Sequence, residues 1–265
     1  MVGSITPRVS ATVILPKPAF QQLLDNLASG GFQLIGPTVR NGALVLDSIR
    51  TIADLPIGWT LNQRPGSSRL LRTHSTEYFS ATVGPHSWKR YLFPPVCDLL
   101  TAHRNGGGWI FEPAPDDSPP FAFIGVRSCD LHAIALHDEV FANGSARDLR
   151  YVHRRERAFI LAVNCNSAAS TCFCTSMNTG PRARSGFDLA LTELPECFVI
   201  EIGSEAGSNA LAGADWQPAS AFDQGRASQL SQRVERQIQR HRVGAVALHA
   251  VAVGRAQRQD QIVRR

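Results

Sequence analysis

The sequence predicts an α/β protein with a mixed β-sheet and flanking helices. Two short apolar runs, at 121–126 and 158–163, are rich in β-branched or aromatic residues and have the length of buried strands. Between them, residues 130–141 place apolar side chains at helical spacing, which predicts a strand–helix–strand unit over 121–164. A crossover of this kind joins parallel strands and is right-handed. The central unit is therefore predicted to be parallel.

The N-terminal part contains a predicted helix and a predicted hairpin. Apolar residues recur at helical spacing over 19–31, and Gly30 offers a C-terminal stop. Asn41-Gly42 then separates two apolar runs, which is a strong short-range hairpin signal. A helix followed by a hairpin is therefore predicted near the start of the chain.

The next segment alternates between turn-rich and apolar stretches. Residues 55–68 are rich in turn formers and are predicted to be a linker, while 69–74 and 78–83 are predicted to form a strand pair. A short helix is predicted over 95–103. A strand is predicted inside 106–120, bounded by a glycine run and an acidic, proline-rich loop that is typical of a boundary.

Two strands and a helix are predicted after the central unit. Residues 185–194 and 197–203 alternate or run apolar, which predicts two antiparallel neighbours. Residues 204–213 are predicted to be a helix with Ser204 as its cap. From about 225 onward the chain consists mainly of Arg, Gln, Ala and Val, so a polar helix over 225–240 and a disordered remainder are predicted.

These elements predict three regions. An N-terminal α/β region spans 1–118, a cysteine-bearing α/β region spans 119–222, and an Arg/Gln/Ala-rich tail spans 223–265. With 265 residues, 43% of them hydrophobic, the chain is long enough to bury a core as one large or two smaller domains. We expect residues after about 225 to bury little apolar area, so that their deletion leaves thermal stability nearly unchanged.

Cysteine usage and apolar runs predict a cytoplasmic protein without a membrane span. The N-terminus lacks a basic segment followed by a long apolar run, and no stretch approaches the roughly 18 apolar residues that a spanning helix needs. In the cytoplasm, six cysteines are more typical of reduced thiols or metal ligands than of a disulfide framework.

The net charge of +5 does not indicate nucleic-acid binding. Residues 226–265 contain nine arginines against two acidic residues, whereas residues 1–225 contain 18 basic against 20 acidic residues. The basic character therefore belongs to the tail, and the body lacks the basic patch with aromatic residues that nucleic acid requires.

Four cysteines are predicted to converge. Cys129 and Cys165 follow the two apolar runs of the central unit, so they are expected at the same edge of the sheet. Cys172 and Cys174 are one residue apart, and in an extended segment both would face this edge while Phe173 packs behind them. Thiols outside this group, Cys97 and Cys197, are expected to lie elsewhere as small core residues.

The spacing of the four thiols is compatible with several kinds of site. Cys-x-Cys with outlying cysteines suits metals that take thiolate ligands, and an iron-sulfur cluster accepts scattered loop cysteines. Tetrahedral zinc sites usually contain C-x₂₋₄-C pairs, which this spacing lacks. Zinc, redox-active thiols and plain packing are the alternatives.

Nearby positive charge is expected to favour thiolates at this site. Arg127, Arg154 and Arg155 are close in sequence to the cysteine-bearing strands, and a helix N-terminus is expected after Cys129. The same features would stabilise a cluster of net negative charge.

The sequence contains none of the common motifs for substrate chemistry. There is no P-loop and no G-x-S-x-G elbow, and the glycine run at 106–108 precedes its strand, so it is not a dinucleotide fingerprint. His132 and His137 are five residues apart and do not share a helical face. No residue is therefore assigned a catalytic role.

Four segments, in order, closely resemble the beta subunit of cytoplasmic sulfhydrogenases and the related iron-sulfur subunit of anaerobic sulfite reductase. They are GPHSWKRYLFPP at 84–95, GVRSCDLHAIALHDEVF at 125–141, VNCNSAASTCFCTSMNTGP at 163–181 and SGFDLALTEL at 185–194. The similarity runs from about residue 12 to about residue 220.

The resemblance implies a non-catalytic, iron-sulfur electron-transfer subunit. Its implied partners are a flavin-containing, NAD(P)H-oxidising subunit and the catalytic subunit of a hydrogenase or sulfite reductase. One iron-sulfur cluster, of the 4Fe-4S type, is expected on Cys129, Cys165, Cys172 and Cys174. The alternative is a non-redox assembly subunit with zinc-bound or free thiols.

One departure from the family concerns its ferredoxin-like domain. Family members usually end in two C-x₂-C-x₂-C-x₃-C-P runs, which hold two [4Fe-4S] clusters. This chain has neither run and no cysteine after Cys197, so these two clusters are not expected here. The resemblance ends near the start of the tail, which predicts a truncation or a reading-frame change, with a natural tail as the alternative.

Overall fold

The structure is a computed structural model that describes residues 6–64, 67–81 and 86–238. The strands are β1 (Thr12–Pro16), β2 (Gln33–Arg40), β3 (Ala43–Ser48), β4 (Trp59–Arg64), β5 (Ser67–Arg72), β6 (Leu100–Asn105), β7 (Gly108–Pro113), β8 (Phe121–Val126), β9 (Phe159–Val163), β10 (Leu189–Glu193), β11 (Cys197–Ile202) and β12 (Gln217–Pro218). The helices are α1 (Phe20–Ser29), α2 (Lys89–Leu92), α3 (Ser128–Phe141), α4 (Leu149–Glu156), α5 (Glu205–Ala210) and α6 (Ala221–Ile238).

Eight of the described strands form one mixed sheet. Their order is β12-β1-β11-β10-β9-β8-β2-β3, and the four consecutive strands β10, β9, β8 and β2 are parallel. Antiparallel pairs complete the sheet on both sides. The predicted α/β class, the mixed sheet and the parallel unit are confirmed, although the crossover from β8 to β9 contains α4 as well as α3.

Helices cover both faces of the sheet, which explains why all residues of β8 and β9 are buried. On one face, α1 packs its buried residues against Ala122 and Ile124 of β8. These residues of α1 are Phe20, Leu23, Leu24 and Leu27. On the other face, Leu131 of α3 and Tyr151 of α4 pack with Phe123. Each fully buried apolar side chain of this size contributes about 1.5–3 kcal/mol relative to exposure.

A β-bulge interrupts β8 just before the cysteine-bearing helix. The pairing with β9 shifts between Ile124 and Val126, and Gly125 between them has φ +96°. A Cβ atom at Gly125 would lie 3.2 Å from Cδ of Pro37 and 3.3 Å from Cε1 of Phe79, so glycine is required by conformation and by space. The bulge changes which face the following residues take.

Several local predictions are confirmed. Helix α1 ends with Gly30 as its C-cap. Strands β2 and β3 pair across Asn41-Gly42, which have φ +50° and +74°, as a two-residue hairpin of this type requires. Strands β10 and β11 are antiparallel neighbours. The Ser204 side chain accepts a hydrogen bond from the Gly207 backbone N–H at the start of α5.

Three local predictions are wrong. Residues 59–64, assigned to a linker, form β4 and pair with β5, so the predicted partner at 78–83 is not a strand over its described residues, 78–81. That segment is held instead by a side chain, since Glu193 accepts hydrogen bonds from the backbone of Tyr78 and Phe79. No helix forms over 95–103, because Leu100–Asn105 pairs with β7.

The hairpin β6–β7 lies outside the main core. Every residue of both strands is exposed, including Leu100, Trp109 and Phe111, which are 64%, 64% and 66% exposed. The strand pairing of this hairpin therefore overrides helical propensity at 100–105 without burying its apolar side chains.

The region after residue 223 contributes to the core up to Ile238. Helix α6 begins before the predicted helix, buries Val234 and Ile238, and packs Ala227 and Leu230 against Leu194 of the body. The expectation that this region buries little apolar area is wrong for these residues, because one face of the Gln/Arg-rich helix is apolar. Truncation near 225 is therefore expected to lower the melting temperature. The predicted disordered remainder lies outside the described residues.

Across the described parts of the chain, no helix has both the length and the apolar character needed to cross a membrane.

Candidate metal-binding site

The four predicted thiols line one cavity of about 290 Å³ at the carboxyl ends of β8 and β9. Cys129 lies in the first turn of α3, and Cys165 lies two residues after the end of β9. Cys172 and Cys174 lie in the loop that follows. The prediction that the two strands deliver cysteines to one edge follows from their parallel pairing, and the loop folds back to bring the other two thiols to the same place.

The Cys172–Cys174 segment is not extended as predicted. Phe173 has φ −138° and ψ 14°, and a 3₁₀ turn begins at Cys174. Phe173 lines the cavity and is 52% exposed, rather than packing behind the thiols. The two cysteines therefore reach the cavity through a turn in the backbone and not through strand alternation.

Hydrogen bonds fix the loop against the sheet and against the β4–β5 hairpin. The buried Asn164 side chain donates to Oγ1 of Thr192 (2.9 Å) and accepts from the backbone N–H of Ala183 (2.8 Å). On the outer side, the Gln63 side chain accepts hydrogen bonds from the hydroxyl groups of Ser170 and Thr171. These contacts hold the cysteine loop from both sides.

Arg127 is the one arginine among the described residues that line the cavity. It follows β8, caps the N-terminus of α3 and is 7% exposed. Its terminal nitrogens donate to the backbone carbonyls of Asn164 (3.4 Å), Phe79 and Ala81 (3.5 Å). Its Nε–H is buried and meets no acceptor in the described parts of the chain.

The expectation of three arginines at the site is wrong for Arg154 and Arg155. The Arg154 guanidinium binds the carboxylate of Asp116 at 2.8 Å, and Arg155 binds Asp138 at 3.1 Å. Both arginines lie on α4, where nearby carboxylates already balance their charge. Arg127 alone of the three faces the thiols.

The surroundings favour protonated thiols when the cavity holds only solvent. Burial, with a smaller effect of the Asp130 charge, raises the pKa of Cys129 to about 12, although part of this residue is open to the cavity. Burial likewise raises the pKa of Cys174 to about 11. It also raises the pKa of Cys165, and the adjacent Arg127 charge opposes that rise. The predicted stabilisation of free thiolates is therefore outweighed by desolvation.

Asp130 is a cavity residue that the sequence patterns did not identify. Its carboxylate accepts hydrogen bonds from the Arg127 backbone N–H (3.2 Å) and from Nε1 of Trp88 (3.3 Å). Burial raises the pKa of the Asp130 carboxyl. Its position three residues after the helix cap is the signal that could have identified it, because Asp or Glu often closes a helix start there.

Glu193 is a second residue that the patterns did not identify, and it supports the cavity from behind. Its carboxylate is fully buried, contacts Nζ of Lys17 at 2.8 Å and accepts from the backbone N–H groups of Tyr78 (2.7 Å) and Phe79 (3.0 Å). The carbonyl of Phe79 in turn accepts from Arg127. Glu193 therefore positions the segment that holds the arginine.

The remaining two cysteines lie away from the cavity, as predicted. Cys97 is exposed in the segment before β6, and Cys197 is buried in β11 beside Leu194. Within the described ranges, no three side chains of His, Cys, Asp or Glu are grouped tightly enough to hold a single metal ion.

The chain is similar in sequence to a hydrogenase subunit. Over 108 residues, it is 35% identical to Sulfhydrogenase 2 subunit beta of Pyrococcus furiosus. The matched region covers 41% of this chain and 30% of that relative, so the similarity spans less than a third of the relative's length. No protein-family model matches the chain.

Proposed function

We propose that this chain is an iron-sulfur electron-transfer subunit of a cytoplasmic, hydrogenase-type or anaerobic sulfite reductase-type complex. The observation that carries the proposal is the convergence of Cys129, Cys165, Cys172 and Cys174 on one cavity. The similarity to a sulfhydrogenase beta subunit supports the hydrogenase-type assignment.

The donor set and the size of the cavity fit one cluster. Four thiols are the usual ligand set of a [4Fe-4S] centre. A volume of about 290 Å³ equals about ten waters at roughly 30 Å³ each, which is room for a compact group of iron and sulfide atoms. When bound, such a cluster would accept and release single electrons.

The raised thiol pKa values define what the protein contributes on binding. Metal ligands are thiolates, so Cys129, Cys165 and Cys174 each lose a proton when the cluster assembles. Assembly is therefore expected to release protons and to become more favourable as pH rises. Arg127 supplies a fixed positive charge against the negative charge of the thiolates.

We propose partners of two kinds. A flavin-containing, NAD(P)H-oxidising subunit would supply electrons, and a hydrogenase or sulfite reductase catalytic subunit would receive them. Phe173, half-exposed at the cavity wall, marks where the cluster would lie nearest to the surface. Substrate chemistry would belong to the partner subunits.

The proposal is tested by anaerobic reconstitution of the purified chain with iron and sulfide. We expect about one cluster per chain, with visible absorption and a low-temperature EPR signal after reduction. The double variant Cys172→Ser/Cys174→Ser is expected to lose both signals, since serine is a harder and far less acidic ligand. Cys97→Ser, outside the cavity, is the matched control and is expected to reconstitute like the parent.

Two results would contradict the proposal. Full iron and sulfide content in the double variant would remove these thiols from the site. Stoichiometric zinc binding in place of iron and sulfide would favour the non-redox assembly subunit instead.

A further inference from the structure

Arg127 carries a positive charge that the described protein does not neutralise. The guanidinium is buried, and its partners in the described ranges are three neutral backbone carbonyls rather than a carboxylate. Asp130, the nearest acid along the chain, uses its carboxylate on the Arg127 backbone N–H and on Trp88. A buried ion without a counter-ion is costly, so an anion in the cavity would be stabilised strongly.

The unused donor of this guanidinium is directed to the cavity side. The terminal nitrogens hold the backbone at Phe79, Ala81 and Asn164, while Nε–H is buried without an acceptor in the described ranges. Arg127 also lies close enough to Cys165 for its charge to act on that thiol. The structural role of the side chain therefore leaves one N–H available beside a proposed ligand.

We propose that Arg127 sets the reduction potential of the bound cluster, by placing its charge and its Nε–H donor against the Cys165 side of the cluster. This inference rests on the proposed function. Reduction adds one electron, and so one negative charge, to a group that is already anionic. A fixed cation and a hydrogen bond to sulfur stabilise the reduced form more than the oxidised form, which raises the potential.

Three variants separate charge, hydrogen bond and background. Arg127→Gln removes the charge, and Arg127→Lys keeps the charge but loses the planar donor group. Arg184→Gln removes an arginine charge from an exposed position that does not line the cysteine cavity, and it is the matched control. Each protein is reconstituted anaerobically, its iron and sulfide are counted, and its midpoint potential is measured by EPR-monitored redox titration.

We expect Arg127→Gln to lower the equilibrium constant for reduction about tenfold or more, which is about 59 mV toward negative potential for one electron. Arg127→Lys is expected to shift in the same direction by a smaller amount, and Arg184→Gln is expected to match the parent. If Arg127→Gln does not fold or assemble a cluster, Arg127→Lys still gives a potential.

The outcomes distinguish this inference from the proposed function. If the parent protein assembles no cluster, the proposed function fails. If the parent assembles a cluster and Arg127→Gln, or Arg127→Lys in its place, keeps the parent potential, Arg127 does not tune the cluster and only this inference is overturned. A shift in Arg184→Gln as large as in the Arg127 variants would also overturn it, because the effect would then be general charge.

Discussion

The cysteine cavity and the β6–β7 hairpin both contain aromatic side chains close to loops, but they are supported differently. At the cavity, Phe79 is buried, its backbone N–H binds Glu193 and its carbonyl binds Arg127. In the hairpin, Trp109 and Phe111 are exposed, and the strands contact chiefly each other. Buried polar side chains thus fix irregular backbone where the sheet needs it, whereas strand pairing alone forms an element without a core.

The largest effect is expected for Glu193→Ala, which would break the supports of the cavity. The change leaves the buried Lys17 charge and two backbone N–H groups without their partner, at a cost of about 3–5 kcal/mol in the free energy of unfolding. Urea denaturation measures this loss. Glu112→Ala in the exposed hairpin is the matched control, expected to change stability by at most about 0.5 kcal/mol. Equal losses in the two variants would contradict the comparison.

Gly125→Ala is expected to cost about 1–3 kcal/mol, because the new Cβ meets Pro37 and Phe79 in a backbone conformation that favours glycine. Gly107→Ala, in the turn of the β6–β7 hairpin, has no atom within 4 Å of the added Cβ and is expected to be nearly neutral. Thermal unfolding of both variants measures the difference. A neutral Gly125→Ala would show that the bulge tolerates a side chain.

The stability of the cluster-free protein is expected to fall at high pH. The pKa values of Cys129 and Cys174 are raised on folding, to about 12 and about 11, from an ordinary value of 9.0. The folded state therefore holds these protons more tightly, so this contribution is fully present below pH 9 and is lost as pH rises toward 11–12. Anaerobic urea unfolding across about pH 8–11 measures the fall.

The double variant Cys129→Ser/Cys174→Ser is the control for this pH dependence. It is expected to show a smaller fall in stability over the same range, since serine does not titrate there. An undiminished fall in the double variant would assign the pH dependence to other groups. Cys97, exposed beside the hairpin, is expected to be alkylated faster than the cavity thiols.

The smallest effect is expected in the hairpin itself. Trp109→Ser removes a side chain that is 64% exposed, so the free energy of unfolding should change by less than about 0.5 kcal/mol. Phe123→Ser, in the buried strand β8, is the contrasting variant and is expected to prevent stable folding or to cost several kcal/mol. A large loss from Trp109→Ser would mean that the hairpin has a packing role.

Sequence patterns predicted the parts of the fold that depend on local residues. The apolar runs before Cys129 and Cys165, the Asn41-Gly42 turn and the Ser204 cap each follow from a few neighbouring residues, and each is observed. Predictions failed at 59–64 and 95–103, where strand pairing rather than local propensity decided the structure. The tail was misjudged because its apolar face depends on contact with the body.

The sequence by itself determined the α/β class and the four cysteines at issue, because strand periodicity and thiol chemistry are properties of short segments. Only the tertiary structure decided how those thiols are surrounded. It turned the Cys172–Cys174 loop back to the sheet edge, directed Arg154 and Arg155 to other acids and left Arg127 at the cavity. Burial and charge balance arise from residues far apart in the chain, and no local pattern records which of them meet.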